Sequence, residues 1–218
     1  MRIFIGHDSR HHKASKVCME SIRSHSKPGE HNLTLLDKAK LKEIGFYGRK
    51  DVKGESTEFS FTRFYAPLIN HFKDVVLFCD NDFLWQCNPS ELLQYLGDND
   101  VAVVKHDLKE VKDDKMDGIK NKWYPKKCWS SLMLFNAEKC KKLNKEYLDN
   151  ATPKELHEFD WVDDDKIGEI PVEYNHLVGY YPRHDNIKAI HYTNGGPWFD
   201  EYKNGEMAEL WWNVYGNL

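Results

Sequence analysis

The sequence predicts an α/β fold: a single domain over residues 1–218 with a mostly parallel central sheet flanked by helices. Three observations carry that expectation. Short apolar runs of strand length alternate with stretches of helical periodicity, the pattern that crossover connections between parallel strands produce. The 218 residues are 40% hydrophobic and 13% aromatic, enough for one sizeable core. No internal repeat or low-complexity tract interrupts the alternation.

In chain order, Arg2-Ile3-Phe4-Ile5 reads as a buried strand that breaks at Gly6, followed by a helix whose apolar face uses Ala14, Val17, Cys18 and Ile22. Lys27-Pro28-Gly29 ends that helix, and Leu33 to Leu36 forms the second strand. Phe61 to Phe72 is expected as a helix carrying Phe64, Tyr65, Leu68 and Ile69 on one side, and Asp74 to Cys79 as the third strand. Further strands are expected at Val101 to Val104, Leu132 to Phe135 and Ala189 to Tyr192. Further helices are expected near Pro89 to Leu96, Ala137 to Leu143 and Glu206 to Tyr215. Lys105 to Lys127 stands apart as a lysine-rich solvated loop, with Lys105, Lys109, Lys112, Lys115, Lys120, Lys122, Lys126 and Lys127 among acids. Long loops in compact domains are often lids over a site, and the alternative is a charged excursion without a job.

Composition excludes several function classes. The 31 Lys+Arg against 35 Asp+Glu leave a net charge of −4, so the general phosphate attraction of a nucleic-acid binder is missing. No apolar stretch approaches the ~20 residues needed to span a bilayer, and the chain enters its first strand without a leader pattern; a cytoplasmic location is expected. The five cysteines, Cys18, Cys79, Cys87, Cys128 and Cys140, contain no C-x-x-C and read as buried free thiols. Dinucleotide, P-loop and serine-hydrolase signatures are absent from the sequence.

The chemistry that remains rests on carboxylates. The apolar run Val75 to Cys79 delivers Asp80-Asn81-Asp82 at its carboxyl end, where open α/β sheets place their ligands. Two hard oxygens there suit Mg²⁺ or Mn²⁺ bridging to a diphosphate. An Asp-x-Asp by itself is more often a solvated turn; the preceding apolar run is what raises this one. Ile190-His191-Tyr192-Thr193-Asn194-Gly195-Gly196-Pro197-Trp198 is a short strand, a histidine and a glycine pair. The pair admits backbone N–H groups to an anion, and His191 is a candidate metal ligand; a plain turn with a buried histidine is the competing reading. Asp163-Asp164-Asp165 suits either a helix N-terminus or a catalytic carboxylate near a sugar carbon. Arg63, in an otherwise apolar segment, needs an anion or water, and the Asp80–Asp82 site offers the anion. One or two of Trp123, Trp129, Trp161, Trp198, Trp211 and Trp212 are expected to touch substrate.

Taken in order, these pieces resemble a GT-A-fold (Rossmann-like) glycosyltransferase, similar to family 8 and to small bacterial and chlorella-virus-type relatives. The matching stretches are residues 1–10, 56–64, 80–82, 129–136, 161–168 and 191–198. The resemblance implies that Asp80, Asp82 and His191 hold Mn²⁺ (or Mg²⁺), which grips the diphosphate of a UDP-sugar donor. It places Asp8 at the nucleotide base and Arg63 near diphosphate and metal. Asn81, Gly195 and Gly196 fall with the nucleotide-sugar site, His106 and Asp107 beside the donor sugar, and Ser130 and Ser131 beneath it. The Asp163 to Asp165 run corresponds to the family's Asp-Gln-Asp, with Asp164 replacing the amide; this leaves retention and inversion both open, and Asp164 is the favoured base if the reaction inverts. A second departure is Gly196, where family 8 usually has a lysine that contacts the diphosphate. The activity so implied is transfer of a hexosyl or deoxyhexosyl group to a hydroxyl of a glycan acceptor, with no nucleic-acid partner and no membrane span. The chain is compatible with being the N-terminal domain of a longer protein. A non-catalytic carbohydrate-binding module of the same fold, and less so a nucleotidyltransferase, are the rival readings.

Overall fold

The computed structural model describes residues 1–50, 55–109 and 123–218. A six-stranded sheet is built from β1 (Arg2–Gly6), β2 (Asn32–Leu36), β3 (Val75–Cys79), β5 (Val101–Val103), β6 (Leu132–Asn136) and β7 (Ile167–Glu169), in the order β2-β1-β3-β6-β5-β7. All its strands share one direction except β6, which runs antiparallel to both β3 and β5. The expected α/β domain with a mostly parallel sheet is therefore present, with one reversed strand. A smaller sheet holds β4 (Phe83–Trp85), β9 (Ala189–His191) and β8 (His176–Leu177), in that order.

Apart from Arg2 and Asn136 at their ends, the central strands β1, β3 and β6 carry no polar side chain because both faces of the sheet are covered. Phe4, Val76, Phe78, Met133 and Phe135 point into one core with Phe64, Tyr65, Leu148 and Trp161. Their neighbours Ile3, Ile5, Leu77, Cys79, Leu132 and Leu134 point into the other, closed by Cys18 and Ile22 of α1 (His12–Ser24). A third cluster joins Val17 of α1, Leu84, Ile190 and Tyr192 to Met207 and Trp211, the latter on α6 (Ala208–Tyr215). It fastens the small sheet to the large one across α1.

Some elements differ from expectation. The helix expected over Phe61 to Phe72 is a 3₁₀ turn, Thr62–Tyr65, running into α3 (Ala66–Ile69). Pro67 has no N–H to return to Arg63, so the α ladder starts only there. His71 and Phe72 then take left-handed conformations that end it. Pro89–Tyr95 is 3₁₀, and Ala137–Lys139 is one short 3₁₀ turn rather than a helix to Leu143. Unforeseen are α2 (Lys38–Glu43), α4 (Lys145–Asn150), α5 (Pro153–His157), β4, β7 and β8, all too short to display a period. Of the lysine-rich loop, Lys112, Lys115, Lys120 and Lys122 lie outside the described residues. All five cysteines are free, and only Cys128 is not buried.

Candidate active site

The buried strand β3 stops at Cys79, and the turn that follows is held by Asp80 N–H donating to Ser131 O at 2.9 Å. The chain re-enters as β4, whose Phe83 is paired with His191 of β9. Tyr192 N–H donates to Asp82 O at 3.1 Å and closes the arrangement. This pairing of the small sheet brings a histidine more than 100 residues downstream to the tip of β3. Asp80, Asp82 and His191 each present a ligand atom within 4.8 Å of the others, and all three residues are buried.

His191 is oriented by a chain of hydrogen bonds. Ser131 Oγ donates to Cys128 O (2.6 Å) and accepts from Asn175 Nδ2 (2.9 Å), which leaves Asn175 Oδ1 to accept from His191 Nδ1 at 2.8 Å. Phe83 stacks on the ring, 4.5 Å between centroids. With Nδ1 donating to Asn175, the imidazole turns Nε2 toward Asp82 Oδ1, 3.3 Å away. At that distance the two atoms can share one cation. Two carboxylate oxygens and one imidazole nitrogen form a donor set that fits Mn²⁺ or Mg²⁺, and the Asn175 contact is the usual outer-shell support for such a histidine.

Arg63 does meet the anion that its apolar setting requires. Its Nη2 lies 3.1 Å from Asp80 Oδ1, its Nη1 donates to Ser130 O (3.0 Å) and Oγ (3.1 Å), and its Nε donates to Phe59 O (3.3 Å). The guanidinium is thus fully engaged between the rings of Phe59 and Phe78, and it fixes Asp80 rather than projecting into open space.

The other expected residues separate into groups. Ser130 and Ser131 belong to the centre through Arg63 and Asn175. His106 is buried beside it; burial first, and then the nearby His191, push its imidazole down to about 3, so it is neutral at physiological pH. Asn81 is buried but turned away, its amide donating to Ser15 Oγ of α1 at 3.2 Å. Asp107 is exposed. Gly195 and Gly196 are buried; Gly195 has φ +127°, and a Cβ on Gly196 would come 2.1 Å from the Trp198 ring, which explains why no side chain stands there. Asp8 is fully buried and already occupied. Arg10 Nε and Nη2 donate to it at 2.8 and 2.7 Å, and the Glu58 N–H at 3.2 Å. Burial alone would raise this carboxyl; the Arg10 and Glu58 hydrogen bonds outweigh that and hold it below the usual range.

The Asp163 to Asp165 run is exposed. Asp163 precedes the 3₁₀ turn Asp164–Lys166 without capping it through its side chain. Asp164 is 83% exposed at the side chain and is bonded by Lys126 Nζ at 2.6 Å, which lowers its pKa. Lys126 in turn lies over Trp129, next to Ser130. Sequence reading passed over Asn175 and Tyr181, the latter sharing a 2.8 Å hydrogen bond with His106 Nδ1. Neither belongs to a legible motif, and no local signal marks them.

No family model matches the sequence. Protein CDI of Arabidopsis thaliana is 39% identical over 225 residues, which cover 97% of this chain and 85% of that protein. Among solved structures, the bifunctional glycosyltransferase WbbM in its apo form superposes with a TM-score of 0.72 at 16% identity. That match takes in all of this chain, which spans 50% of the WbbM chain. The galactosyltransferase LgtC, in complex with donor and acceptor sugar analogs, superposes with a TM-score of 0.62 at 13% identity, covering 100% of this chain and 96% of that one.

Proposed function

The chain belongs to the family of Protein CDI and has the GT-A fold of glycosyltransferases, and from that premise we propose that it is a metal-dependent glycosyltransferase. It transfers a hexosyl or deoxyhexosyl group from a UDP-sugar to a hydroxyl of a glycan acceptor. The observation that carries this reading is the buried Asp80–Asp82–His191 trio at the tip of β3, a concentration of lone pairs and negative charge that is costly until a divalent cation neutralises it.

Asp80, Asp82 and His191 would hold Mn²⁺ or Mg²⁺, and the bound ion would offset the charge that develops on the departing UDP. Arg63 keeps Asp80 in place, while Asn175 and Ser131 keep the His191 lone pair aimed. The Gly195–Gly196 segment admits the diphosphate close to backbone N–H groups. Asp8 and Arg10 flank the base, and His106, Asp107, Ser130 and Ser131 flank the sugar. Asp164, kept ionised by Lys126, takes the proton of the acceptor hydroxyl, with Asp165 on the same turn and Asp163 just before it. The sugar's bond to the diphosphate breaks as the acceptor oxygen attacks, and UDP leaves with the bonding pair.

Asp80→Ala and Asp82→Ala test the reading. Each abolishes Mn²⁺-dependent UDP binding in calorimetry and UDP release in a donor screen, with the circular dichroism spectrum of the folded chain retained. UDP binding unchanged in both variants overturns the metal site; glycan binding indifferent to metal, without UDP binding, points instead to a carbohydrate-binding module.

A further inference from the structure

The loop over residues 178–188, between β8 and β9, carries a side chain that the transferase reading does not use. Tyr181 Oη lies 2.8 Å from His106 Nδ1, and the two rings stack with 5.7 Å between centroids and 24° between planes. We propose that Tyr181 is a positioning residue of the transfer site: its phenol fixes the tautomer of His106, so that the imidazole offers a donating Nε2–H to the bound nucleotide sugar. The inference rests on the transferase reading and adds to it a residue that acts through another.

Both partners are fastened before they meet. Tyr181 N–H donates to Leu177 O at 3.2 Å, a β-bridge pairs the residue with Val178, and the ring of His176 on β8 lies 6.0 Å from the Tyr181 ring. A side chain so placed gives up little further freedom in making a hydrogen bond. His106 is pinned through its backbone: its N–H donates to Val104 O at 3.0 Å, and its O accepts from Trp129 Nε1 at 3.0 Å. What the backbone leaves open at His106 is which ring nitrogen carries the proton.

The phenol decides it. Both groups are neutral: burial, and then His191, push His106 down to about 3, and burial holds Tyr181 above the usual phenol range. Between two neutral groups, a phenol O–H donating to a bare imidazole nitrogen is the stronger arrangement, so the ring proton sits on Nε2. The reverse would strand the phenol proton, since Tyr181 Oη has no other hydrogen-bond partner among the described residues. His106 is 6% exposed, and its Nε2 is buried without a hydrogen-bond partner among the described residues. A buried N–H in that state is costly until an acceptor arrives. The phosphate and hydroxyl oxygens of a nucleotide sugar are such acceptors, and the nearby His191 puts this ring beside the metal centre that would grip the diphosphate.

Nitrogen NMR of the imidazole rings in the full chain reads the tautomer, with His106→Gln identifying the His106 signals. The parent chain shows a protonated Nε2 and a bare Nδ1, and Tyr181→Phe shows a mixture of both tautomers. A proton on Nδ1 in the parent overturns the proposal. Kinetics with the nucleotide sugar that the donor screen selects read the consequence. Tyr181→Phe lowers kcat/KM about tenfold and leaves UDP affinity unchanged, the effect of one misdirected hydrogen bond. In a His106→Gln chain, whose side-chain amide donates independently of the phenol, the same substitution changes kcat/KM by less than about twofold. An equal factor in both backgrounds overturns the proposal, because Tyr181 then acts by itself, and so does an unchanged kcat/KM in Tyr181→Phe. If no donor turns over with Mn²⁺, the transferase reading fails, and the ring NMR alone decides whether Tyr181 sets the His106 proton. Thermal melting confirms that the variants are folded.

Discussion

Asp80-Asn81-Asp82 and Asp163-Asp164-Asp165 both contain aspartates two residues apart, yet the first pair is buried, at 8% and 5% exposure, and the second lies open to solvent. The same spacing thus has two physical meanings. A carboxylate taken out of water has to be matched: Asp80 is matched by Arg63, and Asp82 lies beside His191 in a geometry that accepts a dication. The Asp163 to Asp165 run loses little hydration, so its structure needs only the single Lys126 contact. What distinguishes the two is the preceding chain: five apolar residues of a central strand before Asp80, and an irregular segment before Asp163.

That contrast breaks first at Arg63. Removing the guanidinium in Arg63→Met leaves the Asp80 carboxylate buried without its counter-ion, a loss of about 3–5 kcal/mol. Urea denaturation measures it, and added Mn²⁺ recovers part of the loss in the variant. Stability equal to that of the parent chain without metal would mean that Asp80 carries no buried charge.

On the exposed side the pattern inverts. Asp164→Asn leaves the melting temperature and UDP affinity where they were but lowers turnover about 10²-fold, the lower end for loss of a general base, because the Lys126 contact already weakens its basicity. A drop in UDP affinity at unchanged turnover would return the residue to a purely structural role.

The smallest effect sharpens the comparison from inside the buried site. Asn175→Leu removes the acceptor that places the His191 proton on Nδ1, and Mn²⁺ affinity falls about 10–100-fold. Asn175→Asp, which keeps an acceptor, retains more of it. Equal Mn²⁺ affinity in all three proteins would show that His191 needs no orienting partner.

Much of the architecture was legible in local pattern. The runs at Ile3, Val76 and Leu132 announce buried strands because a strand covered on both faces is apolar at every position, and the Ala14, Val17, Cys18 and Ile22 spacing announces α1. Segments of three to six residues, such as β4, β7 and α2, show no period to read. At the site, Asp80 and Asp82 were legible from the strand before them, and Arg63 from a charge in an apolar setting. Asn175 was not: its neighbours Tyr174 and His176 carry no motif, and its role exists only because β8 and β9 lie side by side.

The sequence by itself determined the α/β alternation and the strand that ends in paired aspartates, since each follows from interactions between residues near in the chain. Only the tertiary structure decided that Arg63 faces inward to Asp80, that Arg10 occupies Asp8, that Asn81 turns to α1, and that Tyr181 reaches His106. Those outcomes depend on which distant groups compensate each buried charge, and that compensation is settled by sheet pairing and packing across the whole chain.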